Sequence, residues 1–234
     1  MSHKAVIAAA VLAVVSTPVA AQSLSGQLGI EYSAPTDGTD FGGTTYSGGL
    51  EYSINRQFAV GVDVSGYKLD NIDTSLSSAT LHGIYHISDS ATAGVFFGRD
   101  WIEDANSDVY GIEGGTEFMG GTVGGYIGRA DDGTDTVNLF GLDGAYGLSN
   151  GFSVIAEYDR ASEGDVSLSQ AAIGAQYDLS AGPSVYAKLG NVSGEAGGTS
   201  ADQTFITIGA EVAFGANRGT TFDQRSLFEI LPGF

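Results

Sequence analysis

The chain has 234 residues, with 28 acidic against 9 basic side chains, a formal net charge of −19 at pH 7, and no cysteine. A balance this acidic excludes a nucleic-acid-binding protein, because phosphate binding needs basic patches. Without disulfides an exported fold must draw its stability from a sizeable core or from a closed, hydrogen-bonded sheet.

The N-terminus reads as a secretory signal. Lys4 supplies the positive end, Ala5 to Val15 is an apolar run too short to span a bilayer, and Val19-Ala20-Ala21 before Gln22 offers small residues for cleavage. The expected organisation is a signal peptide over 1–21, a barrel over 22–215 and a periplasmic C-terminal tail over 216–234. No other stretch approaches the ~18 apolar residues of a transmembrane helix.

From there the chain alternates polar and apolar residues in about twelve segments, each near the ~10-residue length of a membrane-spanning strand. In chain order the apolar phase is carried by Leu28–Tyr32, Tyr46–Ile54, Phe58–Val64, Ala79–Ile87, Ala91–Phe97 and Tyr110–Phe118. It continues in Val123–Ile127, Phe140–Leu148, Phe152–Tyr158, Ala171–Leu179, Val185–Leu189 and Ile206–Phe214. The 36 glycines, 12 phenylalanines and 11 tyrosines, against 4 prolines, suit such strands.

The connections sort by parity. Asn55-Arg56-Gln57, Ser88-Asp89-Ser90, Met119-Gly120-Gly121, Ser149-Asn150-Gly151 and the run from Ser180 to Pro183 are tight and built from turn formers. Between them, Ala34–Gly43, Lys68–Ser75, Glu103–Asp108, Ala130–Asp135, Ala161–Asp165 and Ser193–Asp202 read as longer loops rich in Asp, Gly, Thr and Ser. In a soluble sandwich the apolar face would point into a core, and nothing would sort the connections. Short periplasmic turns alternating with longer acidic extracellular loops are the layout of a closed antiparallel transmembrane β-barrel.

The last strand supports this. Thr207, Gly209, Val212 and Phe214 give a polar residue, a glycine two later, then two hydrophobic residues at alternate positions ending in an aromatic. The pattern resembles the β-signal of outer-membrane barrel proteins, and the mature chain looks like a porin-like barrel of Gram-negative bacteria. The resemblance implies a cell outer membrane location and assembly by the barrel-assembly machinery. It implies less about function, since pores, enzymes and adhesins share such barrels. Two departures stand out. No loop is long enough to fold inside as a constriction, and the chain runs 20 residues past Phe214.

Taken as inward, the polar phase holds Glu31, Glu51, Asp63, Glu113, Glu117, Asp143, Glu157, Asp178 and Glu211, with His82 and His86, and Lys188 as its one clear cation. Nine carboxylates against one ammonium make a negative interior that concentrates cations. Glycines crowd the same phase and leave room for water. Twelve strands lie between an eight-stranded barrel filled by side chains and a sixteen-stranded open porin. On the other face, Lys68, Arg99, Arg129 and Arg160 sit at loop-side strand ends, placed to meet anionic headgroups such as lipopolysaccharide phosphates. Aromatics gather toward both strand ends, as two interfacial girdles would require.

No enzyme is expected. His82 and His86 lie four apart on one strand, roughly 13 Å, too far to share a metal. No cofactor is expected either. The expected function is passive diffusion of small hydrophilic solutes or ions, with cations preferred. The alternative is a non-conducting structural or adhesin barrel. In the tail, Leu227, Ile230 and Leu231 have helical spacing and Ser226 can cap, so a short helix or hook packing on or inside the barrel base is expected, with a frayed end as the alternative.

Overall fold

The computed structural model describes residues 23–38, 42–71, 74–103, 105–179, 182–215 and 219–230; the expected signal peptide lies outside them. Twelve strands follow in order: β1 Leu24–Pro35, β2 Gly43–Ser53, β3 Phe58–Leu69, β4 Ser75–Ser88, β5 Ala91–Ile102 and β6 Ala105–Phe118. Then come β7 Gly121–Asp131, β8 Thr136–Gly147, β9 Phe152–Glu163, β10 Val166–Asp178, β11 Pro183–Ala196 and β12 Thr199–Gly215. Each pairs antiparallel with its sequence neighbour, and β1 closes on β12 from Ser25↔Gly215 to Pro35↔Phe205. Closure leaves no edge strand, so every strand has a ladder on both sides.

Strand β3 shows which way the faces point. Phe58, Val60, Val62 and Val64 are exposed, whereas Ala59, Asp63 and Ser65 between them are buried. A soluble sandwich would bury the valines. The same polarity recurs around the wall: Leu81, Ile112, Ile127, Ile173, Leu189 and Ile208 are each more than half exposed. A continuous apolar exterior with polar groups inside is the inverse of a water-soluble domain, and it suits hydrocarbon. Tyr52, Phe58, Phe118, Phe152 and Tyr177 ring one end of it, and Tyr32, Tyr46, Trp101 and Tyr110 the other. Phe58 packs on Tyr85 and Phe152 on Tyr177, with ring centroids 5.1 and 4.6 Å apart.

The two rims separate as expected. Asn55, Ser88, Gly120, Asn150 and Gly182 lie at one, the turn rim, and Asp37, Asp132, Gly164 and Gly197 at the other, the loop rim, where Asp104 is also expected but lies outside the described residues. The strands run further toward the loop rim than the alternation of apolar residues does. Of the expected loop 193–202, only Gly197 and Gly198 remain outside β11 and β12, and β9 and β10 take up all but Gly164 and Asp165 of the connection at 161–165. The physical reason is the ladder. Asp, Ser, Thr and Gly carry no apolar phase, yet paired neighbours satisfy their backbone groups out to the hairpin. The hairpin then needs left-handed backbone at both central residues, and Gly197 (φ 57°) with Gly198 (φ 80°) supplies it. At the turn rim Asn150 and Gly151 do the same at 57° and 81°. The β7–β8 loop is held differently. The Asp132 carboxylate accepts backbone N–H bonds from Asp135 (2.9 Å) and Thr134 (2.8 Å), which hold it below the usual carboxylate range.

Candidate functional site: the barrel lumen

The inward residues form two separate polar sets. In the first, His82 on β4 sits between two carboxylates. Its Nδ1 is 2.6 Å from Glu113 Oε1 on β6, and its Nε2 is 3.0 Å from Asp63 Oδ2 on β3. All three are almost wholly buried. In the second, Lys188 on β11 bridges Glu31 of β1 (3.1 Å) and Glu157 of β9 (3.0 Å). Tyr186 donates to Glu31 at 2.9 Å and Gln170 to Glu157 at 3.3 Å. Buried carboxylates are stable only when a cation or donor faces them, and these two sets meet that condition across neighbouring strands.

The chain beyond β12 enters the lumen. From the turn rim, the backbone N–H of Thr221 donates to Glu51 Oε2 at 2.7 Å. Phe222 packs with Ala59 and Ile84 and stacks 6.3 Å from the His82 ring. Higher up, Gln224 bonds Thr80 (2.9 Å), and Thr80 donates to the Arg225 carbonyl (2.9 Å). Arg225 reaches Glu113 Oε2 at 2.9 Å, and its guanidinium lies 4.5 Å from the Tyr126 ring centroid. A short 3-10 helix, Leu227–Ile230, follows. Ser226 Oγ caps it by accepting from the Phe228 N–H at 3.0 Å, and the Leu227 N–H donates to Asp100 Oδ2 at 2.8 Å. Phe228 meets Tyr67 edge-on at 5.1 Å, and Ile230 is wholly buried among Phe96, Val109, Tyr126, Leu139 and Ala161. The spacing of Leu227 and Ile230 and the serine cap are as the sequence suggests, with Leu231 outside the described residues, but the helix lies inside the barrel toward the loop rim rather than at its base.

The expected pore lining therefore splits. Glu31, Glu51, Asp63, His82, Glu113, Glu157 and Lys188 are tied to named partners. Glu117, Asp143 and Asp178 are exposed and Glu211 is half-buried. Asp178 accepts from Gln176 at 3.0 Å. His86 bonds Thr92 (3.1 Å), away from the His82 set. Two expectations need correction. Lys188 is joined by a second inward cation, Arg225, which the polar phase of the strands does not contain. The negative interior is also less unpaired than the count of nine to one implies. The sequence reading missed Asp100 and Asp159, although Asp159 keeps the phase of Glu157 two residues earlier; it accepts from Tyr126 at 2.9 Å. Facing the turn rim is a cavity of ≈ 1120 Å³ lined by Arg56, His86, Glu117, Asp143, Asp223 and others.

Outside, Lys68, Arg129 and Arg160 are exposed at the loop-rim ends of β3, β7 and β9. Arg99 is exposed too, but its guanidinium is spent on Asp108 of β6 at 2.5 Å. In β12, Thr207 is buried against Ser33 of β1 (2.6 Å) and Val212 faces out. Gly209 lies under the Tyr186 ring, where a Cβ would collide. Across the seam, Gly26 leaves room for Phe214: a Cβ there would lie 2.7 Å from the phenyl ring.

No family model matches the chain, and no curated protein does. Solved structures do. A KdgM porin aligns with a TM-score of 0.59 at 10% identity, covering 80% of this chain and 99% of that one. A KdgM porin in complex with disordered oligogalacturonate aligns at 0.58, with 10% identity and the same coverage. The CymD monoaromatic hydrocarbon channel aligns at 0.55 with 11% identity, covering 83% and 89%. The likeness is one of fold: with its closed twelve-stranded antiparallel wall, apolar exterior and polar lumen, the chain has the fold of a porin-like β-barrel.

Proposed function

We propose that the protein is an outer-membrane channel for passive diffusion of small hydrophilic solutes or ions, and that it prefers cations. The observation that carries the reading is the polar interior of a closed barrel, with an acidic cavity of ≈ 1120 Å³ facing its turn rim. The exposed charges that line this cavity are the carboxylates of Asp89, Glu117, Asp143 and Asp223 against the single guanidinium of Arg56, whereas Arg225 and Lys188 are held in ion pairs. A low-dielectric wall focuses the field of unpaired carboxylates and draws cations in. The same field disfavours a polyanion such as the oligogalacturonate bound by the KdgM porin. No catalytic residue is part of this reading.

Two further roles belong to it. Lys68, Arg129 and Arg160 meet anionic headgroups of the outer leaflet, lipopolysaccharide phosphates among them, with Arg99 contributing less because Asp108 neutralises it. Thr207, Gly209, Val212 and Phe214 serve as the assembly signal read by the barrel-assembly machinery. A second reading, a non-conducting structural or adhesin barrel, is favoured by one observation: the lumen is packed by the C-terminal segment, down to an Ile230 with no exposed surface. Ion flux separates the two. Purified protein in lipid vesicles should release an entrapped cation faster than protein-free vesicles. Equal release rates, with the barrel shown to be inserted, would favour the non-conducting reading.

A further inference from the structure

Residues 219–230 do more than fill space. They run the length of the lumen, from Glu51 near the turn rim, past Thr80 and Glu113, to Tyr67, Asp100 and Leu139 toward the loop rim. Their hydrogen bonds are one-sided. Among the described residues, their hydrogen bonds go to β1 through β6, and none reaches β10, β11 or β12. Toward the loop rim the short helix also meets β9 and β10, where Ile230 and Leu227 join a cluster with Ala161 and Leu168, so the segment crosses the lumen there. The segment buries one of its charges and exposes two. Arg225 is buried against Glu113, whereas Asp223 and Glu229 are exposed. Asp223 also bonds Gln27 of β1 (3.0 Å) and lines the turn-rim cavity together with Asp143 of β8. Glu229 is held from behind by the Tyr67 hydroxyl at 3.0 Å.

We propose that the C-terminal segment is the built-in constriction of the channel, latched to the wall by Arg225 on Glu113, and that the carboxylates of Asp223 and Glu229 set which charge passes it. The proposal rests on the channel reading. It gives a barrel without a long inward loop a constriction made from its own terminus. A latch of one buried ion pair, three apolar side chains and a few hydrogen bonds holds the segment without making it part of the sheet. The full tail carries two bases, Arg218 and Arg225, and two acids, Asp223 and Glu229. Removing it therefore widens the passage with little change in net charge, while Asp223→Asn with Glu229→Gln alters charge with little change in width.

Three proteins test this in planar bilayers: the full chain, a chain ending at Gly215, and the full chain with Asp223→Asn and Glu229→Gln. Folding of each is checked by the heat-dependent shift in gel mobility. The expected result is severalfold larger conductance for the shortened chain, and a reversal potential closer to zero for the double variant at near-unchanged conductance. Docking is read without any current. Trypsin should leave the bond after Arg225 intact in the folded full chain and cut it once the barrel is heat-denatured. Should the shortened chain not fold, Phe228→Ala with Ile230→Ala in the full chain replaces it, with larger, flickering conductance expected. Equal conductance of the full and shortened or loosened chains overturns the constriction, as does ready tryptic removal of the segment from Ser226 onward in the folded protein. If the full chain and both tail variants are folded and none conducts, the channel reading fails and the constriction with it.

Discussion

Arg225 donates to Glu113 at 2.9 Å across 112 residues of chain, and this buried contact ties the end of the protein to the middle of its barrel. Glu113 also holds His82 from its other oxygen. Replacing it by Gln leaves a guanidinium that cannot lose its proton in a buried site. Breaking such a pair from one side costs about 3–5 kcal/mol when the stranded charge must stay buried. Here the charge can leave with its segment. Glu113→Gln should therefore release the tail rather than unfold the barrel. Trypsin should cut after Arg225 while the heat-dependent gel shift persists. A tail that stays protected would show that the apolar contacts of Phe228 and Ile230 suffice.

The outward face predicts a depth dependence. Ile112 lies at mid-wall on β6, opposite Val95 and Ile127 on its neighbours. Ile112→Arg should cost about 2–4 kcal/mol in equilibrium unfolding from lipid vesicles. Arg160→Ala, at the loop-rim end of β9, should change stability by less than about 1 kcal/mol. Equal costs at the two positions would contradict a membrane across the middle of the wall.

Most of the wall was legible in the sequence, because alternation is a local property. Phe58, Val60, Val62 and Val64 fix the outward face of β3 whatever else the chain does. Strand ends were less legible. Residues 193–196 and 199–202 carry no apolar phase, and only their pairing with each other makes them strand. The lumenal carboxylates could be placed by phase, but not their partners. Arg225 lies in a segment with no alternation, and its contact with Glu113 depends on a chain reversal that no local pattern encodes. The Ser226 cap and the spacing of Leu227 and Ile230 are local, and they were readable.

The β11–β12 hairpin predicts a contrast between glycines. Gly197 and Gly198 both adopt left-handed backbone. Alanine at either should cost about 1 kcal/mol, because a Cβ disfavours that conformation. Gly66 on β3 has no such backbone and nothing within 4 Å of an added Cβ. Gly66→Ala should be neutral or slightly stabilising. Denaturant midpoints of the three variants, refolded side by side, check the order. A Gly198→Ala chain as stable as Gly66→Ala would contradict the strained hairpin.

Lys188 holds Glu31 and Glu157 together beside the β10–β12 wall. Lys188→Met removes the cation and leaves both carboxylates unpaired in the lumen. In a salt gradient the reversal potential should move further toward the cation limit. A shift the other way would mean that these carboxylates do not face permeating ions.

The central claim is that this barrel conducts, and that cations are favoured. Single-channel recording of the folded full chain in a planar bilayer under a potassium chloride gradient tests it most directly. The account predicts discrete current steps with a reversal potential on the cation side of zero. An inserted, folded protein that gives no steps, or one whose reversal potential lies on the anion side, would contradict it.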